Sequence, residues 1–290
     1  MKKRLLIYVM AISVVFLMSG CKQGSHQKRH ISVSIMPLKY FVDRLTDKSV
    51  HVNVMLPSGT DHETYSPTPR QLKKLSNSRL YVKIGYLGYE QAWAHLLEEL
   101  NPEMQILNLS NGIELIHSES VKHGDHSHEG GIDPHIWMSP RTMKKLVPKI
   151  RDAIIANFPE LKEKVEKNYI DLDNELELLH LRYALLMHAT HKKKFIIFHP
   201  ALTYLAKDYE LEQISIEFEG KEPTPARLAE IIKRSKQENI NLIFVQAEYD
   251  VSNAEQIAKE TGAKIIQINP MEYNWMDLME ELRKPFQFPR

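Results

Sequence analysis

From residue 160 to residue 189 the chain runs for thirty positions without glycine or proline, with Leu172, Leu176, Leu179, Leu186 and Met187 at near-helical spacing. The run predicts one long linking helix over 159–190, entered through the stop at Pro159. At 1.5 Å per residue, thirty residues would be about 45 Å long. A helix of that length exceeds the depth of one small lobe. It has to serve two, and the 290 residues leave room for no more than two at roughly 100–200 residues per domain.

The segments on either side carry the same kind of pattern. On the N-terminal side, 31–36 and 50–55 alternate as strands around a helix that starts at Pro37 and runs to Leu45. Residues 68–77 then read as a helix, 80–84 as a strand, 90–100 as a helix and 105–109 as a strand. Ser139 and Pro140 supply a cap and a first helical position for a helix towards Asn157. On the C-terminal side the order restarts with a strand at 195–198, a helix near Leu202, a strand near Ile214, a helix at 225–237, a strand at 242–245, a helix at 253–261 and a strand at 264–268. Alternation of this kind predicts an α/β fold: two Rossmann-like lobes with parallel sheets, 31–158 and 191–290, joined by the long helix. No internal sequence repeat is evident.

The N-terminus has a different character. Lys2, Lys3 and Arg4 precede a 14-residue apolar run at 5–18, broken only by Ser13, and Ser19, Gly20 and Cys21 follow. This is the pattern of a signal peptide over 1–20, too short for a bilayer-spanning helix of about 20 residues. One cysteine in the chain excludes an intrachain disulfide, a CxxC redox pair and a four-thiolate zinc site. Its place at the end of the leader makes Met-Ser-Gly-Cys similar to the lipobox of bacterial lipoproteins, with Met18 where leucine is usual. Cys21 is therefore expected to be lipidated, anchoring an extracytoplasmic protein to its membrane at the cell surface or in the periplasm. Residues 21–30 read as a polar tether. Without the three leader cations the chain has 35 basic against 37 acidic residues, a net of −2. With no basic stripe, nucleic acid is excluded as a partner.

Three histidines occur where α/β proteins place ligands, beyond strand C-termini or just before a helix. His62 lies in a polar loop, His135 precedes the capped helix at Pro140, and His199 ends the strand at 195–198. Three neutral imidazoles suit zinc and leave a fourth position open. Each histidine alone could equally be a hydrogen-bonded loop residue.

Five stretches, in order, carry a resemblance: DHETYSP at 61–67, DPHIWMSP at 133–140, HPALTYLA at 199–206, EPTP at 222–225 and AKETGA at 258–263. The chain resembles, over nearly all of 31–282, the metal-binding receptor lipoproteins of bacterial ATP-binding-cassette zinc and manganese importers, the ZnuA/TroA-like group. The resemblance implies a metal site in the interlobe cleft held by His62, His135 and His199, an importer permease as partner, a monomer and no enzymatic activity. Zn2+ is the implied cargo and Mn2+ the lesser alternative. Asp133 either orients His135 or only forms an Asp-Pro turn. Where the family usually has Asp-Pro after the last strand, this chain has Asn269 and Pro270. The fourth position then falls to water, to Asn269, or to a carboxylate beside His62 such as Asp61 or Glu63. A smaller departure is the GYLG sequence at 85–88.

A His-rich, acidic tract at 117–129 contains His117, His123, His126 and His128 and reads as a flexible loop with weak auxiliary metal sites. In the resembling family such a loop goes with zinc receptors. His188 and His191 complement the C-terminal end of the long helix, and Trp93, Trp137 and Trp275 read as packing residues. Two further functions compete: a secreted zinc hydrolase with Glu63 or Asp61 as base, and an adhesin. No HExxH supports the first, since His128 and Glu129 are followed at the needed place by Ile132.

Overall fold

The computed structural model describes residues 30–57, 59–60, 65–117, 122–123, 126–127, 131–217 and 222–287. The leader with Cys21, the tether up to residue 29, and His62 with Asp61 and Glu63 lie outside the described residues.

Four strands of the N-terminal part, β1 (His30–Val33), β2 (His51–Val54), β3 (Leu80–Lys83) and β4 (Gln105–Asn108), form one all-parallel sheet in the order β2-β1-β3-β4. The helices between them are α1 (Met36–Thr46), α2 (Pro69–Ser76), α3 (Gly88–Ala92) and α4 (Ala94–Glu99). Local signals set their ends. Pro37 opens α1, and Thr68 and Gln71 form a reciprocal capping box at the start of α2. The single helix expected over 90–100 is broken at Trp93, whose backbone (φ −110°, ψ 8°) ends α3 and starts α4. A short antiparallel pair, β5 (Lys122–His123) and β6 (His126–Ser127), lies within the His-rich tract.

α5 (Pro140–Asn157) follows the Ser139 cap, and α6 (Lys162–Ala189) is the long helix, 28 residues or about 42 Å. α6 packs on α5 and α1 and buries Val165, Leu172, Leu176, Leu179, Tyr183 and Met187.

The second sheet comprises β7 (Lys194–Ile197), β8 (Glu212–Ser215), β9 (Leu242–Gln246) and β10 (Lys264–Ile268), parallel throughout in the order β10-β9-β7-β8. Counted from its own first strand, this is the topology of the first sheet. Duplicated architecture is present without an evident repeat in sequence. α7 (Thr203–Asp208), α8 (Pro225–Glu238) and α9 (Ser252–Thr261) connect the strands. Strand residues alternate between two cores: Phe195, Ile197 and Phe244 face the large core shared with α6, while Ile196, Phe198 and Ile243 face α8 and α9. Burial on both faces accounts for the unbroken apolar run at 195–198.

The last helix, α10 (Trp275–Arg283), was not visible as an element in the sequence pattern. It does not cover the second sheet alone. Its Trp275 packs on Phe41 of α1 at 5.1 Å between ring centroids, and the Met279 carbonyl accepts a hydrogen bond from Tyr183 of α6 at 2.5 Å. Among the described residues no helix is long and apolar enough to cross a membrane.

Candidate metal centre

In each sheet the order reverses between its first and third strands, at β1/β3 and at β7/β9, and the crevice beyond those strand ends is where open α/β sheets bind ligands. His199 stands at the second of these points, two residues past the end of β7. Gln246, the last residue of β9, holds its backbone from both sides: His199 N–H donates to Gln246 Oε1 at 3.2 Å, and Gln246 Nε2 donates to the His199 carbonyl at 2.6 Å. The ring lies stacked with Tyr249, centroids 5.6 Å apart and planes 19° apart. Its Nδ1 edge faces the Glu217 carboxylate, at 3.1 Å from Oε2 and 3.3 Å from Oε1.

His135 is held in a comparable way from the other side. Asp133 Oδ1 accepts from the His135 backbone N–H at 2.8 Å and lies 2.9 Å from His135 Nδ1. Tyr204 of α7 donates to the Asp133 carbonyl at 3.0 Å and accepts from the Ile116 N–H at 3.2 Å, tying the His135 segment to the second lobe. Burial raises the Asp133 pKa, but the adjacent His135 and the hydrogen bonds from His135 and Thr203 outweigh it and hold the carboxyl below the usual range. Asp133 thus both closes the turn through the His135 N–H and meets the His135 ring.

The two imidazoles meet. Their centroids are 5.2 Å apart at 69°, and the residues are only 3% and 6% exposed. An Nδ1–H directed at a carboxylate leaves the lone pair on Nε2, the tautomer a metal-ligating histidine needs. The structure brings His135 and His199 together. Among the described residues no three His, Cys, Asp or Glu side chains are grouped so that they could hold a metal ion together.

Asn269 sits at the end of β10, but its side chain closes its own turn. Oδ1 accepts from the Met271 N–H at 3.0 Å, and Nδ2 lies 3.5 Å from Glu272 Oε2. The carboxylate in that loop belongs to Glu272. Trp137, beside His135, donates through Nε1 to the Pro270 carbonyl at 2.9 Å, and Trp275 donates to the Trp137 carbonyl at 2.8 Å. The pair of indoles fastens the turn carrying His135 to the loop carrying Asn269.

Glu217, Gln246 and Tyr249 were not singled out by sequence reasoning. Each follows or ends a strand neighbouring β7, so strand-end placement was the available signal. It could act only once the order β9-β7-β8 was known.

A model of the family described as "Zinc-uptake complex component A periplasmic" (ZnuA) matches residues 31–284. The chain is similar to the zinc-binding lipoprotein AdcA of Streptococcus pneumoniae serotype 4, 28% identical across 93% of this chain and 56% of AdcA. It is also similar to the high-affinity zinc uptake system protein ZnuA of Bacillus subtilis, 29% identical across 87% of this chain and 82% of that protein. It therefore spans little more than half the length of the AdcA relative. A crystal structure of ZnuA superposes with a TM-score of 0.79 at 32% identity, covering 88% of this chain and 96% of the other.

Proposed function

The chain belongs to the ZnuA family of zinc-uptake components, and from that premise we propose that it is an extracytoplasmic receptor that captures Zn2+ and delivers it to an ATP-binding-cassette permease. The observation that carries this reading is the pair of buried imidazoles, His135 and His199, each with Nδ1 against a buried carboxylate and 5.2 Å apart. Neutral imidazole nitrogen favours zinc over manganese, which is better served by carboxylate oxygen. His62 completes the set. The fourth position falls to water, to Asn269, or to a carboxylate beside His62 such as Asp61 or Glu63.

The protein is proposed to act as a monomer, not an enzyme, held to its membrane through lipid on Cys21. The tract at 117–129 adds weak zinc capture at high metal. Elemental analysis of the purified protein after competition with mixed divalent metals tests the reading. Zinc should be retained in about one equivalent and lost in His199→Ala; retention of manganese instead would overturn the cargo assignment.

A further inference from the structure

Glu217 belongs to none of the sequence motifs, yet it is 5% exposed and directs both carboxylate oxygens at His199 Nδ1. Its backbone is set by the second sheet: Glu217 N–H donates to the Phe198 carbonyl at 3.0 Å, one residue past the Ile216 N–H bond to Ile197 at 2.8 Å. These two bonds hold the chain after β8 against the end of β7 and deliver the carboxylate beside the ring. A buried carboxylate is costly unless it is hydrogen-bonded or paired with positive charge. Here the imidazole supplies the first, and a divalent ion on the far nitrogen would supply the second.

We propose that Glu217 is a positioning residue for the cargo ion, fixing His199 in the Nδ1–H tautomer so that Nε2 is presented to the interlobe crevice. The assignment rests on the metal-receptor reading above. Gln246 fixes the backbone of His199, Tyr249 fixes one ring face, and Glu217 fixes the edge. That division leaves the ring no freedom to flip and offer the other nitrogen. Asp133 performs the same task on His135. Two carboxylates, one behind each imidazole, then balance the charge of a divalent, nitrogen-preferring cation, although the amide of Asn269 contributes none. Carboxylate behind imidazole also raises ligand basicity, and removing such a partner typically weakens metal affinity 10–100-fold.

The test uses the full chain, zinc as the only probe, and the variants Glu217→Gln, Glu217→Asp and His199→Ala. Two quantities are read: zinc affinity by chelator competition, and the 15N ring spectrum of His199 in metal-free protein. The parent should show a pyrrole-like Nδ1 and a pyridine-like Nε2. Glu217→Gln, whose amide can donate as well as accept, should show mixed tautomers and bind zinc about 10–100-fold more weakly, and Glu217→Asp should recover part of both. If Glu217→Gln does not fold, the same two readouts on Glu217→Asp decide, with a partial loss expected in each. Parental tautomer and parental affinity in the folded variant overturn the role of Glu217. Zinc binding that survives His199→Ala overturns instead the metal-site reading beneath it.

Discussion

Trp275→Phe keeps an aromatic ring in the site and removes the indole N–H. Trp275 is fully buried, and its Nε1 donates to the Trp137 carbonyl at 2.8 Å. Without that donor the carbonyl is left buried and unsatisfied, a loss of about 1–3 kcal/mol. The smaller ring also vacates on the order of 40 Å³ beside Phe41, adding about 1 kcal/mol at roughly 24 cal/mol per Å³. The sum is about 2–4 kcal/mol. For roughly 250 folded residues the unfolding entropy is about 0.5 kcal/mol/K, so the melting temperature should fall by about 4–8 °C. Differential scanning calorimetry of the metal-free protein measures this directly. A shift of less than about 1 °C would mean that the Trp275 indole bond does not hold α10 to the His135 turn.

Asp133→Asn should weaken zinc binding by about 10–100-fold in chelator competition. Because the Asp133 pKa is lowered in the folded state, its stabilisation is complete above the unfolded-state value near ~3.9 and is lost as pH falls through the folded value; the stability gap between parent and variant should therefore close in acid. Glu90 accepts hydrogen bonds from the backbone N–H groups of Ile84 at 3.1 Å and Gly85 at 2.5 Å, and from Ser34 Oγ. Glu90→Gln places an amide donor against those donors and should cost about 1–3 kcal/mol in urea unfolding. Burial raises the Glu90 pKa against the lowering effect of those bonds, so parental stability declines as pH rises from the unfolded value near ~4.3 through the raised folded one, and the penalty should be largest in acid. Asn269→Asp should improve manganese binding relative to zinc in a competitive titration. An unchanged ratio would remove Asn269 from the site and leave it only the turn on Met271.

The architecture was legible because its signals are local. The glycine- and proline-free run at 160–189, the Ser139-Pro140 cap and the apolar strand at 195–198 each act within a few residues, and the structure carries all three. α10 was missed because its helical pattern follows a proline loop, and its buried Trp275 answers to α1 rather than to its own sheet. At the site, His135 and His199 were legible from strand-end placement and motif. Asp133 was visible as a neighbour two residues away, with its role undecided. Glu217 could not be read, because it is 18 residues from His199 and only the β7/β8 register joins them. Asn269 was read from its position, but its amide finds a nearer partner in its own turn.

The central claim is a zinc site built on His62, His135 and His199. Chelator-competition affinities of the parent and the three single alanine variants test it most directly, at neutral pH and again below the ordinary imidazole value near ~6.5. Every variant should lose zinc affinity strongly, and the parent should bind more weakly in acid. Three variants with parental affinity, insensitive to acidification, would contradict the claim and move the site elsewhere.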